Sequence, residues 1–331
     1  MAGTIFASPA KEQVRAGIER CFDDDDGESE TGGRGVLVVV MNYTGDILNF
    51  GLGVEKAKAS GKRVEMVVVG DDVGVGREQA GKVGRRGIAG TVLVVKIAGA
   101  LAATGGSLDE VSGLARKVAG NIVSVGASLS RVHVPGRSGP PDASTDEILA
   151  TEEVEIGMGI HNEPGSHRAT VDLPGLVKTL LAQLLDWRDE DRAFLSVKNS
   201  DEVVLMINNL GGVSVLELGG ITAEVVDQLI NDYGIKPVRI LSGTYMTSLN
   251  GVGFSISILR LADTGLGVGK SMLELLDAPA EATGWSAAVK TETWGRDFGA
   301  SKEKTGGAVD EAKPSNLRST SKGKALHRTR S

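Results

Sequence analysis

Apolar residues run through this chain in two periods, and the way the periods alternate predicts its elements. Short unbroken runs such as Val36-Leu-Val-Val-Val-Met41 read as buried strands, whereas apolar positions three or four apart read as helix faces. On that basis a helix starts at Ser8-Pro9, with Val14, Ile18, Cys21 and Phe22 on one face. A strand over 35–41, a helix over 49–60 and a strand over 63–69 follow. Beyond a loop over 70–90, Thr91–Ala102 is apolar enough for a strand, but its length and its Ala and Lys content favour a helix. Leu108–Val123 is a clearer helix and Ala127–Val134 a strand, along which His133 alternates as a packed rather than a catalytic residue. Pro135-Gly-Arg-Ser-Gly-Pro-Pro-Asp142 has a proline and glycine load that marks a boundary. Past it come strand 153–160, helix 171–187, strand 202–208, helix 221–232 and strands 237–242 and 252–261. Strands and helices alternate on both sides of the boundary. The expected class is therefore α/β, with units over 1–142 and 143–285 and a disordered tail over 286–331.

Composition narrows the class. The 331 residues are 41% hydrophobic, enough for two domains, and 46 glycines against 4% aromatics suit a loop-rich α/β enzyme. The lone Cys21 cannot close an internal disulfide, and no apolar stretch approaches the ~20 residues of a membrane span. Met1-Ala-Gly-Thr lacks the basic start and apolar run of a signal peptide. A cytoplasmic protein with no membrane partner is the expectation. Residues 286–331 hold ten Lys/Arg against five Asp/Glu, so the net charge of −7 divides into +5 on the tail and −12 on residues 1–285. An acidic body argues against nucleic acid as a partner, because neutralising phosphates needs a clustered basic face. The basic run after Glu311 reads as a solvated tail. Asp23-Asp-Asp-Asp26 with Glu28 and Glu30 reads as a solvated loop, because a glycine-flanked acidic run does not present ligands from fixed geometry.

Two segments carry the candidate chemistry. Glu155-Ile-Gly-Met-Gly-Ile-His-Asn-Glu-Pro-Gly165 sets one imidazole, His161, in a glycine-rich, proline-stopped loop straight after a strand-like run. Glycines at 157, 159 and 165 remove side-chain bulk so that backbone or substrate can approach, and Pro164 fixes φ while removing a donor. The arrangement can present a nucleophile, and it also suits a surface-loop histidine bound to a carbonyl. The second segment, Asn42-Tyr-Thr-Gly-Asp-Ile-Leu-Asn-Phe-Gly51, follows strand 35–41 and puts Asp46 one turn past the strand's carboxyl end. Open α/β sheets bind ligands there, although the segment taken alone better suits Asp46 as the N-cap of the next helix. Thr264-Gly-Leu-Gly-Val-Gly-Lys-Ser271 imitates a phosphate-binding loop but fails its spacing. Four residues must separate the first glycine from Gly-Lys-Ser, and the position that should be glycine is Thr264.

In this order the two segments closely resemble the substrate-binding domain of the dihydroxyacetone (glycerone) kinase family. The likeness continues through Ile5-Phe-Ala-Ser-Pro9, Val69-Gly-Asp-Asp-Val73, Gly84-Arg-Arg-Gly-Ile-Ala-Gly-Thr-Val92 and Val134-Pro-Gly136. Asn208-Asn-Leu-Gly-Gly212, Thr247-Ser-Leu249 and Leu275-Leu-Asp-Ala-Pro279 extend it, so that it covers roughly residues 2–285. The resemblance implies two α/β domains of that family's type, the first incomplete at its N-terminus, and phosphorylation of dihydroxyacetone to dihydroxyacetone phosphate. It implies that the His161 imidazole adds to the ketone carbon as a hemiaminal, so that covalency selects short carbonyl compounds over glycerol. Asp46 matches the aspartate that hydrogen-bonds the reacting hydroxyl and helps remove its proton, worth roughly 10²–10⁴-fold. Met41 stands where the family has a substrate-contacting lysine, so a donor has become a thioether.

The family's Gly-Gly-Gly-Ser-Gly-His-Glu-Pro block belongs upstream of Ile5, and a chain starting at Met1 is expected to lack that loop and its proton-transfer histidine. The cost to the barrier is on the order of 2.7–5.4 kcal/mol. Strands missing with it are expected to bare a sheet edge and apolar surface. Impaired phosphorylation is the expectation; the alternatives are a non-catalytic dihydroxyacetone-binding regulatory module and an inert truncated product. ATP and Mg are expected only through a missing or separate nucleotide-binding domain, with no metal held by this chain. The partners implied are dihydroxyacetone, a phosphoryl-donor domain or subunit, and a second copy in a homodimer.

Overall fold

In the computed structural model, which describes residues 6–23, 35–130, 132, 149, 152–285 and 293, strands and helices intermix along the chain, with three helices in succession over 77–119 and three strands in succession over 122–170. The first layer forms around α1 (Lys11–Asp23), β1 (Val36–Met41), α2 (Thr44–Ala59) and β2 (Val64–Val69). Val14 and Ile18 of α1 meet Val54 and Ala57 of α2 and Val64 of β2 in one apolar cluster. β1 and β2 run parallel, with Val36 opposite Val64 and Met41 opposite Val69. Among the described strands β1 pairs with β2 alone, and Leu48, Leu52 and Val68 are exposed, an open edge with apolar surface beside it.

The larger sheet has six strands: β3 (Ile122–Ser128), β4 (Glu153–Ile156), β5 (His167–Thr170), β6 (Val203–Asn209), β7 (Arg239–Gly243) and β8 (Gly253–Arg260). Their order is β5-β4-β3-β8-β6-β7, with β6 and β7 parallel and the other pairs antiparallel. Side chains alternate between its faces. Val203, Leu205 and Ile207 of β6 join Val123, Val125, Ile256 and Ile258 in a core closed by α6 (Leu173–Leu185) and α7 (Val215–Asn231). Val204, Met206, Ile122 and Leu259 face the opposite core, closed by α4 (Gly90–Ala103), α5 (Leu108–Ala119) and α8 (Met272–Asp277). Helices on both faces explain why β6 is apolar from Val203 to Ile207 without alternation. Ile207 has no solvent exposure. Ile207→Ala is expected to lower stability by about 2–5 kcal/mol, seen as a lower urea midpoint with an unchanged slope.

The two sheets meet where the chain leaves β2. Asp72 bridges Ser124 of β3, with Val73 N donating to Ser124 O and Ser124 N to Asp71 O, both at 2.8 Å. A single turn, α3 (Arg77–Ala80), interrupts the loop that follows. All of these elements lie within one compact unit, Met1–Trp294.

Several boundaries differ from those the sequence predicts. The helix expected to reach Val123 stops at Ala119, the Gly120-Asn121 turn intervenes, and the strand is 122–128 rather than 127–134. Ile122 and Val123 prolong the helix's apolar stripe, which hides the break. β3, preceding the predicted boundary in sequence, occupies an interior position among strands that follow it. α7 starts at Val215 rather than 221, because Ser214 and Glu217 form a reciprocal cap and Gly219-Gly220 continues the helix instead of breaking it. β4 ends at Ile156 because Gly157 turns at φ +75°. β5, too polar to be predicted, is an edge strand. The acidic run after Asp23, His133, the boundary at 135–142 and the tail except Thr293 lie outside the described residues.

Candidate active site

The loop after β4 folds back on its own strand, and its glycines are what allow it. A Cβ at Gly165 would stand 2.2 Å from the Ile156 carbonyl oxygen, and one at Gly159 would stand 2.0 Å from Glu163 Oε2. Side chains from elsewhere pin the loop on either side of His161. Ser248 Oγ donates to the Ile160 carbonyl. Asn162, at φ 64° in the left-handed region that asparagine tolerates, pairs with both main-chain groups of Val132 at 2.8 Å each.

His161 is held between these pins with its side chain 35% exposed. Its main-chain N–H donates to Glu163 Oε2 at 2.9 Å, and its ring Nδ1 lies 3.3 Å from Glu163 Oε1. An ionised carboxylate only accepts, so this contact assigns the proton to Nδ1 and leaves the lone pair on Nε2. Burial raises the Glu163 pKa, but hydrogen bonds from the His161 ring and from main-chain amides outweigh it, so the carboxyl titrates below its ordinary range. Tyr43 meets the imidazole edge-on, with ring centres 5.0 Å apart at 89°, and Phe6 packs at 4.5 Å.

Tyr43 brings the other predicted segment to the site. It is the N-cap residue of α2 but makes no side-chain cap bond, and its hydroxyl is buried with no hydrogen-bond partner among the described residues. Burial pushes the phenol's pKa up and the nearby Glu163 carboxylate adds to the rise, so the hydroxyl stays neutral. Asp46 is the third residue of α2 and therefore not its N-cap, which removes the capping alternative. It is half-buried, and among the described residues its carboxylate has no hydrogen bond or ion pair. Met41 ends β1, and a Cβ at Gly87 would lie 2.7 Å from the Met41 Cβ. The contact of Tyr43 with His161 thus joins the segment of Met41 and Asp46 to the glycine loop.

Sequence reasoning missed Tyr43 and Phe6 as ring partners of His161. It also missed two buried aspartates after β2. Asp71 accepts from Ile88 N and Gly90 N at 2.8 and 2.9 Å, and Asp72 pairs with Arg86 at 2.8 Å. Burial pushes the Asp72 pKa up to about 6 against the opposing pull of Arg86. Nothing in local sequence distinguishes these carboxylates from loop acids. The imitation phosphate loop is an exposed turn in which Thr264 Oγ1 bonds the Lys270 carbonyl at 2.8 Å. A shallow groove along α7, lined by Gly219, Thr222, Val226, Asp227 and Ile230, holds none of the site residues. Among the described residues no group of three or more His, Cys, Asp or Glu could hold a metal ion, and no helix is long and apolar enough to cross a membrane.

A strand, turn and helix beside a loop that presents one imidazole define an α/β protein with a candidate site outside the carboxyl end of a strand. The Dak1 domain family model matches residues 1–284, and the chain belongs to that family. The dihydroxyacetone kinase of Pichia angusta is 47% identical over 306 residues, covering 89% of this chain and 48% of that protein. The dihydroxyacetone kinase from C. freundii, solved with AMP-PNP and Mg2+, superposes with a TM-score of 0.70 at 32% identity, over 95% of this chain and 51% of that one. A dihydroxyacetone kinase operon co-activator superposes with a TM-score of 0.66 at 26% identity, over 82% of this chain and 75% of that one. The chain spans about half the length of the curated relatives it matches.

Proposed function

We propose that this chain captures dihydroxyacetone covalently on His161 and presents one of its hydroxyls to Asp46 for phosphorylation to dihydroxyacetone phosphate. One observation carries the reading: the His161 ring is held by Glu163 at Nδ1 and flanked by Tyr43, at the turn that leads to Asp46. The Nε2 lone pair forms the bond to the ketone carbon, and the carbonyl π pair moves onto oxygen. One proton leaves Nδ1 by way of Glu163 and one reaches the oxygen from solvent, so the sum is a neutral addition. The Tyr43 hydroxyl, buried with no hydrogen-bond partner among the described residues, is available to a substrate oxygen. Asp46, whose carboxylate has no hydrogen bond or ion pair among the described residues, accepts the proton of the hydroxyl that is to be phosphorylated.

Glu163 is the carboxylate on the His161 ring, and among the described residues no group of three or more His, Cys, Asp or Glu could hold a metal ion. Donor and metal are assigned to another domain or subunit, and no step here runs through them.

Native mass spectrometry of the chain with dihydroxyacetone tests the reading. One intact triose should add per chain, with nothing added from glycerol; a chain that stays unmodified at saturating dihydroxyacetone refutes the capture. The likeness to an operon co-activator and the thioether at 41 favour a second reading, a module that captures the triose without phosphorylating it. Capture without turnover in the presence of a competent donor domain would select that reading.

Met41 gives a separate handle. Met41→Lys is expected to tighten dihydroxyacetone binding about 10- to 100-fold, because a hydrogen bond from a charged donor contributes about 1.5–3 kcal/mol. Titration calorimetry reads the change, and an unaltered affinity would mean that position 41 does not reach the substrate.

A further inference from the structure

The segment Val83-Gly-Arg-Arg-Gly87 touches both halves of the site without belonging to either. On one side Asn42, next to Tyr43 in the β1–α2 turn, gives the two N–H groups of its amide to the Val83 and Arg85 carbonyls at 2.9 and 2.8 Å. The Asn42 main-chain N–H is itself fixed by the Val69 carbonyl at 2.9 Å. Gly87 presses on the same turn, since a Cβ there would lie 2.6 Å from the Val69 carbonyl oxygen and 2.8 Å from the Met41 Cα.

On the other side the Arg86 guanidinium reaches the loop of His161. Its Nη2 donates to the Gly157 carbonyl at 2.7 Å and lies 2.8 Å from Asp72 Oδ2, to which Nε also donates at 3.0 Å. The pair is sequestered, with the Arg86 side chain 13% exposed and that of Asp72 1%. Asp72 is fixed in turn, because its Oδ1 accepts from Gly74 N at 2.8 Å and its main chain bridges Ser124. Arg86 Nη1 also stands beside the loop's carboxylate: a Cβ at Gly159 would lie 2.6 Å from Nη1 and 2.0 Å from Glu163 Oε2. The neighbouring Arg85 guanidinium, 4.0 Å over the Phe194 ring, anchors the segment from behind.

We propose that Arg86 is a positioning residue: anchored on Asp72, it fixes the distance between the His161 loop and the β1–α2 turn, with Asn42 as the other end of the same strut. The proposal rests on the covalent reading of His161. Arginine suits the role because its planar fork holds a carboxylate and a carbonyl in one fixed geometry, whereas a lysine ammonium keeps the charge and loses the fork. Covalent addition depends steeply on placement, and a displacement of about 1 Å costs about 10²-fold in rate.

The experiment follows the rate of adduct formation with dihydroxyacetone in the whole chain by native mass spectrometry, with thermal unfolding as the check on folding. Arg86→Ala is expected to form the adduct about 10²-fold more slowly, and guanidinium ion at millimolar concentration to recover part of that loss. Arg86→Lys, which keeps a cation beside Asp72 and guards against misfolding, is expected to stay slow. Asn42→Ala should also slow the addition. The double variant Asn42→Ala with Arg86→Ala should lose about as much as the worse single one, because one strut is broken twice. Folded Arg86 variants that form the adduct at the parent rate overturn the strut while leaving His161 intact as the nucleophile. Additive losses at the two positions also overturn it. A parent chain that forms no adduct refutes the covalent reading itself, and the strut's purpose with it.

Discussion

Replacing His161 by alanine is expected to abolish the triose adduct and to leave dihydroxyacetone bound no more tightly than the millimolar range. The size of the effect follows from how little else a three-carbon ligand can offer. Dihydroxyacetone has two hydroxyls and a carbonyl, and hydrogen bonds of about 0.5–1.5 kcal/mol each cannot exceed a few kcal/mol in total. A dissociation constant of about 1 mM already needs 4.1 kcal/mol. On the covalent reading, the carbon–nitrogen bond would make capture strong, and it would also separate the ketone from glycerol, which offers no carbon to attack. His161 lies in a turn and a third of its side chain is exposed, so its removal should cost little stability. His161→Gln, which keeps polarity but has no nucleophilic nitrogen, should fail in the same way. An adduct that survives in either variant would move the chemistry to another residue.

Asp46→Asn is expected to separate capture from transfer. The adduct should form as in the parent chain, while phosphorylation with a competent donor domain falls about 10²–10⁴-fold, or about 2.7–5.4 kcal/mol in the barrier. The substitution is close to isosteric and breaks no protein contact, because the Asp46 carboxylate has no partner among the described residues. Its lost charge in the first turn of α2 should cost about 0.3–1 kcal/mol of stability, too little to disturb the fold. Rapid quench of phosphate transfer, paired with mass analysis of the adduct, distinguishes the two steps. Equal turnover in Asp46→Asn and the parent would remove Asp46 from the chemistry and leave a binding site alone.

Most of what is local in this molecule is legible along the chain. Apolar runs and helical spacing locate β1, β2, α4, α6, β6 and β8 to within a few residues, because each pattern encodes the burial of its own element. The glycines at 157, 159 and 165 are legible too, since the backbone meets itself or Glu163 at each of them. Reading fails where one pattern runs into the next. Ile122-Val123 continues the stripe of α5, Gly219-Gly220 imitates a break inside α7, and β5 has too few apolar residues to announce itself.

The sequence by itself determines the α/β class and singles out the strand ends that hold the two candidate residues, His161 and Asp46, because each sits in a short segment whose residue types constrain its own backbone. Only the tertiary structure decides that Tyr43 and Phe6 flank the imidazole, that β3 lies inside the six-stranded sheet, and that Arg86 reaches from Asp72 to Gly157. These contacts join residues far apart in the chain. They follow from which apolar faces bury one another, and no local pattern encodes that choice.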